Sequence, residues 1–185
     1  MKQFITTLTL ILFTIITFGQ EKRDLTISIG SGLINSGSLR SAVAKPFVSF
    51  DMDYSMNTRN TLSTNYFSGS SLFKEDPTFS GNPNYQFKER YKGFSVLYKY
   101  RFINRSRYSI VAGSGVAIMT HISQFFYNTF LAEAPLTDFA LPIRIEMNYK
   151  VSNHLLFGVM TGGFINQTSP IIDYYGGLRL SYILK

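Results

Sequence analysis

Cysteine is absent from the 185 residues. With it go disulfides, thiolate metal sites, a cysteine nucleophile and the acylated cysteine of a lipoprotein. Tryptophan is absent too, and histidine occurs only at His121 and His154. Neither has a partner at metal-ligand spacing, so the sequence offers no metal site and calls for no cofactor. Charge is scarce, at 16% of residues against about 25% in a typical soluble domain. Lys and Arg (18) exceed Asp and Glu (11) by seven. Those cations are spread singly, with no basic run, which argues against a nucleic-acid partner. The glycine-rich "GSG" at 113–115 is followed by neither the lysine nor the helix of a phosphate loop.

Long apolar runs are missing as well, except at the N-terminus. Lys2 precedes "FITTLTLILFTIITF" at 4–18, and Thr17 and Gly19 stand three and one residues before Gln20. A positive start, an apolar stretch and small residues before a cut make an export signal over residues 1–19, with a barrel domain over 20–185. The stretch falls short of the ~20 apolar residues a transmembrane helix needs.

What the chain does have is aromatics, 17 Phe and 12 Tyr, and a side-chain period of two. In "ALPIRIEMNYKV", residues 140–151, Leu141, Ile143, Ile145, Met147 and Tyr149 alternate with Arg144, Glu146, Asn148 and Lys150. That is a β-strand with one apolar and one polar face. The pattern recurs in "LTISIG", "FVSFDMDYS", "TLSTNYF", "GFSVLYKYRF", "RYSIVAGSGVAIM", "LLFGVMTGGF" and "YYGGLRLSYIL", which predicts eight strands. Pro142 inside one strand predicts a bulge or a rim position. Three connectors, "MNTRN", "INRS" and "KVSN", are tight turns carrying Asn. The other four are expected to be longer, over about 34–46, 69–91, 121–138 and 164–172. Short turns at one end and long loops at the other are the habit of transmembrane β-barrels.

Alternation alone leaves open which face meets water; the distribution of tyrosine decides it. Tyr54, Tyr100, Tyr108, Tyr149 and Tyr182 all fall on the apolar face at the short-turn end. Phenols gathered in a ring suit a lipid-facing wall, with the hydroxyl among headgroups, better than the interior of a soluble lipocalin-like barrel. A looser set at the other end, Phe47, Tyr66, Phe94, Phe139, Phe164 and Tyr174, is expected to form the second girdle. The polar face then lines the lumen. It carries Asp51, Asp53, Glu146, Lys99, Arg101, Arg144 and Arg179. An eight-strand bore has room only for side chains, and charges confined there are expected to pair as a plug.

On these features the chain resembles the small eight-stranded outer-membrane β-barrel family, which includes the OmpX-like proteins and the OmpA transmembrane domain. The resemblance spans residues 21–185. "YGGLRLSYIL" is similar to the family's C-terminal signal, with Gly177, Leu180 and Tyr182 at its spacing, but runs on through Ile183, Leu184 and Lys185. The resemblance implies an all-β, antiparallel up-and-down transmembrane barrel in the outer membrane of a Gram-negative cell. It implies periplasmic termini, lipid and lipopolysaccharide around the wall, and insertion by the outer-membrane assembly machinery. No peptidoglycan-binding domain is expected after the last strand.

Catalysis finds little support. His121 and His154 are expected on opposite rims; His121 with Ser123 and Glu133 is the only triad that could be drawn, and no catalytic residue is assigned. The segment "HISQFFYNTFLAEAPLTD" holds Phe125, Phe126, Tyr127 and Phe130, candidates for contact with a protein partner at the extracellular loops. The function expected is a structural or surface-interaction role through those loops. A narrow channel for small solutes is the alternative, and a lipid-modifying enzyme a more distant one.

Overall fold

The computed structural model describes residues 24–36, 42–74, 86–127, 130–167 and 172–184, so the expected export signal, residues 1–19, lies outside the described residues. Strands account for nearly all of them: β1 (Leu25–Ser36), β2 (Ala42–Val43), β3 (Lys45–Ser55), β4 (Asn60–Lys74), β5 (Gln86–Asn104), β6 (Tyr108–Tyr127), β7 (Phe130–Lys150), β8 (Leu155–Asn166) and β9 (Ile172–Leu184). The two-residue β2 pairs with the far end of β4 and is separated from β3 only at Ala44. The wall therefore has the eight staves that the alternation predicts.

Each stave pairs antiparallel with its sequence neighbour, and β9 returns to β1 with Ile27 opposite Tyr182. The β4 to β5 ladder completes the ring, so the wall has no free edge. Closure pairs the wall amides from stave to stave, as strands in lipid require. The short turns form where the sequence places them, the first closed by its asparagine and the third by a serine in place of the expected asparagine. Asn57 Oδ1 accepts from the amides of Arg59 (2.9 Å) and Asn60 (2.7 Å). Ser152 Oγ accepts from those of His154 (3.2 Å) and Leu155 (3.1 Å).

Two local expectations are corrected. Pro142 makes no bulge and sits within the wall. The β6–β7 ladder lapses between Ser114 and Ala117 and resumes in the same register, because proline has no amide to donate; Ser114 Oγ donates to the Pro142 carbonyl at 2.9 Å. The register shift lies instead in β5, between Arg101 and Ile103. The segments 69–91 and 121–138, expected as long loops, are mostly strand. β4 and β5 stay paired to Lys74 and Gln86, and β6 and β7 to Tyr127 and Phe130. Period-two patterning fades there because neither face is selected for lipid.

Candidate functional site

The outward side chains answer the orientation question. Val48, Phe50, Met52, Val96, Val116, Ile118, Ile143, Ile145, Met147, Val159, Leu178 and Leu180 all point away from the bore and stay substantially exposed. A soluble monomer rarely shows a contiguous apolar patch above a few hundred Å²; here the belt circles the whole wall. Tyr108, Tyr149 and Tyr182 stand exposed at its short-turn edge, with Tyr54 and Tyr100 half-buried beside them. Tyr66, Phe94, Phe139 and Tyr174 are exposed at the other edge. A soluble barrel with an apolar core is thereby excluded, since the charges lie inside.

Inside, six of the seven expected lumen charges meet in one layer. Arg144, from β7, forks onto Asp51 of β3 at 2.6 and 3.0 Å. Lys99, from β5, donates to Asp53 at 2.9 Å and to Glu146 at 2.7 Å. Arg179, from β9, joins Glu146, Asp53 and the Ser28 hydroxyl. Asn65 Nδ2 supports Asp51 at 2.9 Å. Three cations face three carboxylates, so the layer is neutral, as burial at this depth demands. Gly113 makes room for it: a Cβ there would come within 2.7 Å of Lys99 Cγ. Arg101 is the exception. It makes no ion pair among the described residues and turns to the short-turn rim, where it donates to the Thr58 carbonyl at 3.0 Å.

The next layer toward the loop end was not foreseen. Phe47 and Phe164, expected in the outer girdle, are each 1% exposed and lie inside the bore. They pack against Phe67 and Tyr175 in stacked, tilted and edge-on pairs, with ring centroids 5.0 to 5.6 Å apart. Ile34, Tyr91, Ala117, Met119, Ala140 and Met160 complete this apolar layer. The lumen is thus polar only in part. Parity carried the signal: Phe47 shares a face with Ser49, Asp51 and Asp53, and Tyr175 with Gly177 and Arg179.

At the short-turn mouth the bore opens into a cavity of about 510 Å³. Asp24, Thr26, Ser55, Arg101, Ser109, Asn148 and Lys150 line it, with Arg105 and Arg107 from the turn between β5 and β6.

The closed eight-stave antiparallel wall is matched among solved structures. Ail, the attachment invasion locus protein of Yersinia pestis, solved with the heparin analogue sucrose octasulfate, superimposes with a TM-score of 0.64 at 10% identity, covering 88% of this chain and 99% of Ail. OprG from Pseudomonas aeruginosa gives 0.62 at 12% identity, covering 90% and 98%. Neisserial surface protein A gives 0.61 at 11% identity, covering 88% and 99%. The fold is that of the small eight-stranded outer-membrane barrels. No family model and no curated protein sequence matches the chain.

In this small-barrel frame the two histidines occupy opposite ends. His154 lies in the turn after β7, with Nδ1 3.2 Å from the Ile183 carbonyl oxygen and its ring stacked on Tyr182. His121 points into the bore past the outer girdle, edge-on to Tyr91 at 5.2 Å, beside Asp138 and Asn166. Burial holds its imidazole below the ordinary value. The side chains of Ser123 and Glu133, the partners the sequence suggested for it, lie outside the described residues. So do those of Phe125, Phe126, Tyr127 and Phe130, whose backbones continue β6 and β7. Among the described residues no group of three His, Asp or Glu side chains could hold a metal ion.

Proposed function

We propose that this protein is an outer-membrane barrel of a Gram-negative cell whose role is non-enzymatic, a structural or surface-interaction role exerted through its extracellular end. Residues 1–19 direct export, the assembly machinery reads the last strand, and both ends of the barrel domain lie in the periplasm. Lipid and lipopolysaccharide surround the wall, with Arg90 and Lys92 exposed just past Phe94 on the outward face of β5, where anionic headgroups would meet them.

The observation that carries this reading is strand length. A tilted transmembrane strand needs ~9 to 11 residues. β5, β6 and β7 have 19, 20 and 21. Ten surplus residues at ~3.3 Å each lengthen the sheet by roughly 30 Å along its tilted strands beyond the wall. Among the described residues β8 pairs with β7 only from Ala140 onward, which leaves the overhang an open sheet there, a natural platform for a protein or surface partner. An extracellular partner is in keeping with Ail, whose solved complex contains a heparin analogue.

Fractionation of tagged protein, with heat-modifiable gel migration, tests the location. Replacing residues 72–87 and 123–133 with Asn-Gly turns tests the role. The trimmed barrel is expected to insert and migrate normally, while cells displaying it lose cell-to-cell aggregation or retention on a heparin-coated surface. Unchanged behaviour in both assays would overturn the reading.

The channel alternative would use Asp51, Asp53, Lys99, Arg101, Arg144, Glu146 and Arg179 as its lining. Against it stand two stacked layers whose side chains are nearly all buried. Planar-bilayer recordings are expected to show no steady conductance; a conductance abolished by Arg144→Ala would favour the channel.

A further inference from the structure

The cavity at the short-turn mouth has a charge the rest of the bore lacks. Among the described residues its wall holds Arg101, Arg105, Arg107 and Lys150 against the carboxylate of Asp24, an excess of three positive charges. The layer above cannot offset this, because Lys99, Arg144 and Arg179 already neutralise Asp51, Asp53 and Glu146. Arg101 forms the inner end of the cup. Its orientation is fixed by the Thr58 carbonyl, yet its Nε is buried with no hydrogen-bond partner among the described residues. Among the described residues its guanidinium joins no carboxylate in an ion pair, which leaves this cavity-lining cation open to a charge-assisted acceptor.

We propose that this cup is a binding site for phosphate groups, with Arg101 as its central donor and Arg105, Arg107 and Lys150 as the converging cations. Guanidinium forks match the tetrahedral oxygens of phosphate in pairs, and an excess of three positive charges favours a multiply charged anion over a lone carboxylate. Ser55 and Ser109 add hydroxyls to the lining, and Asn57, Thr58 and Asn104 further polar groups. The ligand arrives from the aqueous phase at this end, which under the orientation proposed above is the periplasm. The site itself is a property of the cup and holds in either orientation.

The test uses the full barrel domain refolded in zwitterionic micelles at low salt, titrated calorimetrically with inorganic pyrophosphate and with inorganic phosphate. One saturable site is expected, tighter for pyrophosphate and weakening as salt rises. Arg101→Gln should weaken it tenfold or more and Arg101→Lys less. Lys45→Gln, at the opposite end of β3, should leave it unchanged. Heat-modifiable migration reports that each variant is folded. Repeating the titration in nanodiscs, with and without phosphatidylglycerol, separates the sources. Affinity unaffected by the anionic lipid identifies a soluble phosphate compound. Affinity lost in proportion to the lipid identifies a headgroup phosphate in the same cup. Absence of saturation, or equal binding by wild type and Arg101→Gln, would overturn the proposal.

Discussion

Glu146→Gln is the sharpest perturbation of the interior. The carboxylate of Glu146 meets Lys99 at 2.7 Å, Arg144 Nε at 2.9 Å and Arg179 Nη1. Glutamine keeps the shape, removes the charge and turns an NH2 toward a cation. The layer goes from three cations against three carboxylates to three against two, leaving one buried charge without compensation. Breaking a buried pair in this way costs ~3 to 5 kcal/mol. Lys99→Met alone leaves the converse imbalance and should cost a similar amount. The double variant Glu146→Gln/Lys99→Met restores two cations and two carboxylates, with methionine filling the volume of the lysine stem beside Gly113. It should recover to within ~1 to 2 kcal/mol of wild type, a strongly non-additive cycle. Urea unfolding in micelles, followed by heat-modifiable migration, measures all four proteins. If each single change costs less than ~1 kcal/mol, or if the double cost is the sum of the singles, pairing in this layer is not what stabilises it.

Three further outcomes follow from other layers. Phe67→Ala, which removes the ring between Phe47, Phe164 and Tyr175, should destabilise by ~3 to 5 kcal/mol in the same urea assay, whereas Phe94→Ala on the lipid face should cost far less. At the β1–β9 seam Gly32 faces Gly177, and a Cβ on either would fall within the opposite backbone; Gly32→Val should abolish the folded, fast-migrating band. His121 titrates below its ordinary value of 6.5 because burial disfavours the imidazolium, an effect Asp138 partly counters. Its folded form is therefore the weaker base, so stability is complete above that ordinary value and falls as pH drops beneath it. The unfolding midpoint should fall between pH 8 and pH 5 by more in wild type than in His121→Gln.

The wall was legible in the sequence because lipid imposes one rule on every stave. Leu141, Ile143, Ile145, Met147 and Tyr149 alternate because every second residue must be apolar, and asparagine marks the tight turns even where, as in "KVSN", Ser152 is the closing acceptor. The lumen obeys no such uniform rule. Asp51 and Arg144 could be placed on the inner face by parity, but their bidentate pairing spans 93 residues of sequence and depends on how the wall curves. Phe47 and Phe164 are aromatic like the girdle residues, but their parity puts them inside the bore. Arg101 has lumen parity too, but it sits one step too near the mouth to reach the carboxylates. Beyond the outer girdle the alternation relaxes, and strand pairing persists at 70–74 and 123–127 without a pattern to announce it.

The charge layer also does something for the wall that alternation cannot. A one-residue slip between staves would turn an entire apolar face into the bore, so parity forbids it. A two-residue slip preserves parity and would pass that test. It would, however, displace Arg144 from Asp51, or Lys99 from Asp53, by about 7 Å along the strand, farther than an ion pair can stretch. The paired residues stand on β3, β5, β7 and β9, which are not neighbours in the ring, so each pair ties staves the backbone ladders join only through an intermediate. Odd slips are excluded by lipid and even slips by charge. A barrel bearing an overhang of roughly ten residues on its longest strands needs both, because one slipped ladder in the wall would shift the whole projecting sheet.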